Sequence, residues 1–181
     1  MGISLSNIVT PYVVPLLSSD EIVISQGWNG PWSHKQLPGQ DSRFAIDFAL
    51  PTGNPVKAAR GGIVVATLDN STVFYDGEDP EIGLNLPVGS TNLLAIVHPD
   101  ETIATYVHFK KGGIFVREGQ RIERGQLLGL TGLSGWIGKK PHIHFQVNNS
   151  DGESLPVRFW GYKGPLEHNE LFPPKRGKEI A

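Results

Sequence analysis

Short apolar runs separated by turn residues recur along most of the chain. They predict strands at residues 21–25, 44–50, 55–59, 63–68, 93–98, 103–109, 127–131 and 142–147. Runs of this length, rich in Val and Ile and bounded by Gly, Pro, Asn and Asp, are typical of strands. The pattern contains few helix-type runs and no long heptad repeat. It therefore predicts an all-β fold, or nearly so.

Two consecutive units, Val116–Gln120 and Ile122–Gln126, share the pattern hydrophobic-x-x-Gly-Gln at a spacing of six residues. Glycine at the same place in each unit would supply a bend in the backbone. This pattern is typical of flattened β-barrels and sandwiches, including the biotinyl and lipoyl carriers. It therefore supports the fold class but does not identify a function.

The chain divides into three predicted parts. Residues 1–25 form an N-terminal arm and strand, and the prolines of the arm argue against a helix. Residues 26–150 form the main domain, with a Gly- and Pro-rich loop at 26–42 and a surface excursion at 69–92. Long loops in a compact domain are often functional. Residues 151–181 form a C-terminal extension that we expect to pack on this domain.

Composition and charge exclude several functional classes. The chain has 181 residues, of which 39% are hydrophobic and 19% charged, and its net charge is −2. These values suit one soluble globular domain. A nucleic-acid-binding protein usually carries a basic stripe. Here the basic pairs Lys110-Lys111 and Lys139-Lys140 are short, and we expect solvated loop charges rather than a nucleic-acid partner.

Cysteine usage and hydropathy remove further classes. The chain has no Cys, which excludes disulfides, Cys-based zinc sites and a Cys nucleophile. No stretch approaches the ~18 apolar residues of a membrane span. The start, Met1–Ser4, lacks the basic and apolar regions of a signal peptide. We expect either a mature form that has lost its signal, which we favour, or a cytoplasmic protein.

Histidines are the candidate chemical groups. His142 and His144 are two residues apart in a predicted strand, so their side chains point to the same face. One would bind a metal and the other would face a substrate carbonyl; two half-exposed strand histidines are the alternative. His108, at the end of another strand, could orient a water molecule or stabilise an oxyanion. His98 is expected at the surface of a hairpin, and His168 in a solvated tail.

Asp47 is the best carboxylate candidate. It lies in Phe44–Ala49, a run that otherwise predicts a buried strand. Because a buried charge without a partner is costly, a metal would account for Asp47. A capping or ion-paired Asp at a strand end is the alternative. A hydrolytic zinc site needs three protein ligands and one open position.

Taken together and in this order, several stretches resemble the lysostaphin-type (LytM-like) zinc metallopeptidases, which are peptidoglycan endopeptidases with the duplicated-hybrid-motif β fold. The resemblance covers about residues 26–150. It implies a flattened β-sandwich or barrel with long loops around an open groove. The matching stretches are 33–34, 45–53, 55–64, 106–109, 116–125, 129–132 and 141–145.

The resemblance also implies residue roles. Asp47 and His144 match zinc ligands, and His108 and His142 match the catalytic histidines that position and deprotonate the attacking water. The family's first ligand is a His four residues before the Asp, where this chain has Arg43. We expect His34, thirteen residues before Asp47, to be the third ligand of one Zn²⁺ ion. Without it the domain would be a degenerate, non-catalytic relative.

The lead interpretation is therefore a zinc endopeptidase that cuts peptide cross-links in peptidoglycan. The resemblance implies a monomer in the periplasm or the extracellular cell envelope, with a cytoplasmic location as the alternative. The second interpretation is a cell-wall-binding or amidase-activating module of the same fold. A carrier or phosphotransferase-type domain is a third. The groove could be lined by residues 132–138 and by tryptophans, which could instead serve core and loop packing: Trp28, Trp32, Trp136 and Trp160.

Overall fold

The computed structural model describes residues 9–16, 22–160, 162 and 171–172, with side chains for 12–16, 22–160 and 162. His168 and most of the two terminal segments lie outside these residues. The described part contains one short helix, α1 (Pro80–Leu84), and the following strands: β1 (Val9–Tyr12), β2 (Ile22–Gln26), β3 (Gln36–Leu37), β4 (Gln40–Asp41), β5 (Ile46–Ala49), β6 (Pro55–Lys57), β7 (Gly62–Leu68), β8 (Phe74–Tyr75), β9 (Leu93–Val97), β10 (Ile103–Val107), β11 (Phe109–Ile114), β12 (Arg121–Ile122), β13 (Leu127–Thr131), β14 (Gly135–Trp136), β15 (His142–Asn148), β16 (Val157–Phe159) and β17 (Leu171–Phe172).

Two sheets carry the fold. The larger has the order β12-β7-β9-β10-β15-β5-β2-β17, and the smaller has the order β11-β13-β6. Among the described strands neither sheet closes into a barrel, and the outer edge of β6 is bridged to Leu16 of the N-terminal arm. The prediction of an all-β, duplicated-hybrid-motif fold is confirmed. The N-terminal arm pairs in parallel with β16, while the proposed division into arm, domain and extension stays a prediction.

Register in the larger sheet places the candidate chemical residues side by side. β15 pairs antiparallel with β5, which sets His144 opposite Asp47. On its other side β15 pairs with β10, which sets His144 opposite Val107. β2 pairs with β5 and sets Gln26 opposite Asp47. Three neighbouring strands therefore meet at one end of the sheet around a single carboxylate.

The apolar core lies beneath this site. Tyr106 and Phe145 are fully buried, with ring centroids 5.1 Å apart. The Tyr106 hydroxyl accepts a hydrogen bond of 2.8 Å from the Ala59 amide, which satisfies a polar group that the core would otherwise leave unpaired. Tyr12 packs edge-on against Phe145. The arm is thus anchored in the core rather than lying on the surface.

The two Gly-Gln units form equivalent turns. In the first, the Gln120 side chain accepts from the Arg117 amide; in the second, Gln126 accepts from the amide of Glu123. Gly119 and Gly125 have φ of 79° and 83°, which glycine adopts at little cost. Their amides donate to the carbonyl oxygens of Val64 in β7 and of Ala58, the residue after β6. The predicted glycine bend is therefore present twice.

Two expectations from the sequence need correction, and one predicted surface segment contains a helix that was not predicted. The strand predicted over 103–109 ends at Val107 and a new strand, β11, begins at Phe109, because His108 has φ 77°. The excursion at 69–92 contains α1, whose N-cap is Asp79. His98 is buried, with 3% exposure, and its Nδ1 lies 2.8 Å from the Gly61 carbonyl oxygen, so its placement at the surface was wrong.

Candidate metal centre and catalytic cleft

The alternation of β15 brings both of its histidines to Asp47. His144 Nδ1 lies 2.8 Å from Asp47 Oδ1, and His142 Nε2 lies 3.6 Å from Asp47 Oδ2. All three side chains are largely buried. The two histidines therefore share one face of β15, as expected, and both approach the carboxylate of Asp47, which is 3% exposed.

His34 arrives at the same place from the long loop. Its Nε2 lies 3.2 Å from Asp47 Oδ1 and 3.3 Å from His144 Nδ1. The ligand atoms of His34, Asp47 and His144 all lie within 4.8 Å of one another. The structure thus brings together the three residues expected as metal ligands.

Hydrogen bonds on the outer side of each ring decide which nitrogen faces inward. His34 Nδ1 donates to the Gly27 carbonyl at 2.7 Å, which leaves a lone pair on Nε2. His144 Nε2 lies 3.0 Å from Gln146 Oε1. The Gln146 amide donates to Asn148 Oδ1, and Asn148 Nδ2 donates to the backbone carbonyl oxygens of Asp41 and Gly152. This chain of donors requires a proton on His144 Nε2 and assigns a lone pair to Nδ1.

These atoms fit a tetrahedral zinc ion. Ligands at about 2.0–2.1 Å around zinc lie about 3.3–3.4 Å from one another. The inward nitrogens and Asp47 Oδ1 are separated by 2.8–3.3 Å. Two nitrogen lone pairs and a carboxylate oxygen that converge in a buried place need a cation to offset their repulsion. Outer hydrogen bonds that orient the ligand histidines are typical of protein metal sites.

Electrostatics of the metal-free cluster also favour positive charge. Burial raises the pKa of Asp47, but the charges and hydrogen bonds of His34, His142 and His144 outweigh it and hold this pKa well below its usual range. Burial lowers the pKa of His144, but its contacts with Asp47 and Gln146 outweigh that effect and raise the pKa. In the absence of metal, a proton on His144, shared with Asp47, therefore lies where the metal cation would bind.

His108 and His142 form a second pair beside the ligand group. Their ring centroids are 4.7 Å apart at an angle of 80°. His108 Nδ1 donates to the Ser134 carbonyl at 2.6 Å and His142 Nδ1 to the Lys140 carbonyl at 2.9 Å. Each Nε2 is left as the atom available for proton transfer. Burial, together with His142 and His144, lowers the pKa of His108 from 6.5 to about 3, and burial also lowers that of His142.

Arg43 occupies the position at which the family resemblance predicts a ligand. Its guanidinium forms a bidentate ion pair with Asp41, with Nε–Oδ1 and Nη2–Oδ2 distances of 2.9 and 2.7 Å. Asp41 also accepts from the Ser154 amide. Arg43 thus fixes the strand end near the C-terminal extension, and the long loop supplies His34 instead.

A cleft of about 270 Å³ opens over these histidines. Trp32 lines one wall, and Trp136, Ile137 and Gly138 line another, as expected for the groove. The Trp136 indole donates to the carbonyl of Gly77, which ties this wall to the excursion at 69–92. Trp28 packs against the core, and Trp160 is exposed outside the cleft.

Three site residues were not predicted from the sequence: Gln26, Gln146 and Asn148. The uncharged amides of Gln26 and Gln146 contact Asp47 and His144, and Asn148 in turn orients Gln146. Gln146 and Asn148 lie two and four residues after His144 in β15 and therefore on the same face of the strand. The alternation of side chains along a strand could have predicted their place beside His144. For Gln26 the signal was weaker, because its contacts depend on how the following loop folds.

The open β architecture and a His₂Asp cluster flanked by two more histidines define a zinc-metallopeptidase type of protein. The family model for Peptidase family M23 matches residues 42–156. The chain therefore belongs to peptidase family M23, the family of the LytM-like peptidases. His34 lies outside the matched residues.

Among known proteins, peptidoglycan DD-endopeptidase ShyA of Vibrio cholerae is 33% identical over 101 residues, which cover 56% of this chain and 19% of ShyA. Murein hydrolase activator NlpD of Salmonella dublin is 24% identical over 157 residues, covering 84% of this chain and 38% of NlpD. The chain thus spans well under half of either relative. A zinc-containing peptidase from Vibrio cholerae shares the fold, with a TM-score of 0.54 and 23% identity over 81% of this chain and 39% of that one.

Among the described residues, no helix is both long enough and apolar enough to cross a membrane.

Proposed function

We propose that the protein is a zinc endopeptidase that hydrolyses peptide bonds in peptidoglycan cross-links. One observation carries the proposal: two buried histidines, whose Nδ1 atoms are bound to carbonyl oxygens, leave their Nε2 atoms available beside the candidate His₂Asp ligand group. The family membership and the 33% identity to a peptidoglycan DD-endopeptidase support it. Action on the cell wall implies a periplasmic or extracellular location, and we propose that the protein acts as a monomer.

His34 Nε2, Asp47 Oδ1 and His144 Nδ1 would hold the ion. Bound there, zinc would polarise the scissile carbonyl and lower the pKa of a water molecule toward neutrality. The chain's own residues supply the remaining parts. Asp47 and the outer hydrogen bonds of the two ligand histidines keep the inward atoms aligned before metal arrives.

Proton transfer falls to His108 and His142. Their depressed pKa values keep both imidazoles neutral near pH 7, so Nε2 of either ring can accept a proton from the attacking water. Once protonated, the same ring can donate to the leaving amine. The Nδ1 bonds to Ser134 and Lys140 carbonyls hold the rings in place through both steps.

The test combines metal content with hydrolysis. Elemental analysis of the purified protein should give about one zinc per chain, and His34→Ala should give none. Lys35→Ala, an exposed neighbour, is the matched control and should keep its zinc. Wild type should release cross-link fragments from purified peptidoglycan, and His34→Ala should not. A zinc-loaded wild type that leaves peptidoglycan and model cross-linked peptides intact would overturn the proposal.

A second candidate function is a non-catalytic wall-binding or amidase-activating module. Arg43 at the expected ligand position and the similarity to murein hydrolase activator NlpD favour it. Zinc-free protein that still sediments with purified peptidoglycan, and that takes up no zinc after reconstitution, would support this candidate instead.

A further inference from the structure

Four lysines line the two cavities on either side of His108. Lys139 and Lys140 line the cleft over the histidines, and Lys110 and Lys111 line a second cavity of about 410 Å³. All four are exposed, and none has an ion-pair partner among the described residues. Lys110 and Lys111 belong to β11 rather than to a loop, as had been expected from the sequence.

The charge of the two cavity linings is opposite in sign to the net charge of the chain. The chain carries a net charge of −2. Apart from Asp47, which is buried with the metal ligands, the two linings contain one carboxylate, Glu78, against the four lysines. A surface with this imbalance attracts anionic ligands.

The two cavities share a wall that is held by hydrogen bonds. His108 faces the first cavity and Ser134 the second, and the His108 ring donates to the Ser134 carbonyl. Buried Asn92 fixes this wall: its amide donates to Ser134 Oγ, and its side chain donates to the Phe109 carbonyl. The proposed catalytic residue therefore lines the cavity of one lysine pair and is hydrogen-bonded to the lining of the other.

We infer that the second cavity binds a carboxylate-bearing part of the peptide substrate while the scissile bond lies at the histidines. This inference rests on the proposed function and names its substrate class: peptides with free carboxylates on either side of the bond. Lys110 and Lys111 supply positive charge to this cavity, and Phe74 and Leu133 form its apolar side. At Gly132 the backbone itself lines the cavity. A Cβ at Gly132 would collide with the backbone of Lys110.

The probe is a cross-linked model peptide made in two forms, with free carboxylates and with carboxamides. Wild type should show a lower KM for the carboxylate form, and added salt should remove the difference. The double variant Lys110→Gln/Lys111→Gln should raise KM for the carboxylate form about three- to tenfold, as expected for exposed charge pairs, with kcat unchanged. Arg117→Gln/Arg121→Gln removes the same charge from exposed positions outside both cavities and should leave KM unchanged.

Equal KM values for the two peptide forms, or an equal effect of the lysine variant on both, would overturn the inference and leave the proposed function standing. If wild type hydrolyses neither form of the peptide, the proposed function fails. The inference about the second cavity is then tested by measuring the binding of the two peptide forms. Calorimetric titration should then still show that the carboxylate peptide binds wild type more tightly than the lysine variant. Equal binding would overturn it.

A separate observation concerns Gln26, which is 3% exposed at the end of β2. Its Nε2 donates to Asp47 Oδ2 and to Ser33 Oγ, both at 3.0 Å. Its Oε1 accepts from the amides of Trp32 and Ser33. One side chain thus uses both donors and both acceptor sites to join the metal-binding carboxylate to the loop that carries His34.

The loop folds around this amide. A Cβ at Gly30 would collide with the Gln26 side chain, so a larger residue there would have to displace the bonded amide. The carbonyl of Gly27, the residue after Gln26, accepts from the ring of His34. We propose that Gln26 is a positioning residue that allows a His thirteen residues before Asp47 to complete the ligand set, in place of a residue at position 43.

Zinc affinity measured by chelator competition tests this proposal without an activity assay. Gln26→Met keeps the side-chain length and should weaken zinc binding about 10- to 100-fold, as loss of an outer hydrogen bond to a ligand does. The absorption spectrum of the Co²⁺-substituted protein should also change. Gln36→Met, at an exposed site in β3, should change neither readout. If Gln26→Met fails to fold, Gln26→Glu tests the same bond, because it places an acceptor against Asp47. Native zinc affinity in a folded variant would overturn the proposal.

Discussion

His34 Nε2 and His144 Nδ1 face each other at 3.3 Å, and in the neutral form of each ring the lone pair lies on that atom. Carbonyl and amide oxygens on the outer sides of the rings hold their protons away from this contact. Two acceptors do not attract each other, so the contact is stable only with a proton or a metal between them. The arrangement is therefore prepared for a cation before one binds.

We expect zinc affinity to fall as the pH falls. In the metal-free protein the pKa of His144 is raised by Asp47 and Gln146, so a proton is bound at the ligand atom below that pKa. Zinc must displace it, and affinity should fall by up to about tenfold per pH unit for each proton displaced. Competition titrations at pH 8, 7 and 6 measure the slope. A flat profile would contradict the assignment of His144 as a ligand.

Zinc binding and hydrolysis should separate at His108 and His142. His142→Ala and His108→Asn should keep about one zinc but lose at least about 100-fold in kcat, the usual contribution of a general acid or base. Asn is used at 108 because it tolerates positive φ. Metal analysis and peptide hydrolysis are measured on the same preparation. Loss of zinc in His142→Ala would move His142 into the ligand set.

His98 should make the protein less stable in acid, independently of the metal site. Burial, with a further contribution from Arg60, lowers the pKa of His98. Its neutral form is retained in the folded state, whereas the unfolded chain binds a proton below about pH 6.5. Stability should therefore fall as the pH drops from 6.5 toward the folded pKa, by up to about 1.4 kcal/mol per pH unit.

Urea unfolding at pH 7, 6 and 5, with zinc removed by chelation, checks this prediction for His98. His98→Gln does not titrate and should show the weaker acid dependence of the two proteins. Identical slopes in wild type and variant would contradict the effect of burial.

Tyr106→Phe should destabilise the fold without touching the site. It removes the acceptor of the Ala59 amide in the core, and a buried unpaired donor costs about 1–3 kcal/mol. Tyr75→Phe, in β8, is the control and should change stability less. Chemical unfolding measures both, and equal midpoints would show that water or a backbone shift replaces the lost bond.

Sequence reasoning predicted the strands well because each is a short apolar run between turn residues. β13 was predicted to the residue, and β15 was one residue longer than expected. The same reasoning failed at His98, because a hairpin end is usually exposed and its burial depends on the arm that packs over it. The pairing of Tyr12 with His98, with ring centroids 5.5 Å apart, is a long-range contact without a local signal.

The sequence allowed the carboxylate and the histidines of the candidate site to be predicted, but not its uncharged amide residues. Asp47 stood out because a carboxylate in an apolar run needs a partner. The role of Arg43 could not be read from the sequence, since its ion pair with Asp41 depends on how the strand end folds. The contacts of Gln26 were equally hidden, because they are made to backbone amides of a loop without a regular pattern.

The break in the strand at His108 has a consequence for protein engineering. β10 belongs to the larger sheet and β11 to the smaller, and the chain crosses between them at this one residue with φ 77°. Two independent demands therefore meet there: a left-handed backbone and an imidazole. In a saturation library at this position, Gly and Asn should form the best-folded class, β-branched residues the worst, and His alone should combine folding with turnover. Selection for thermal resistance would thus drive this position away from histidine, whereas selection for the proposed hydrolysis would restore it.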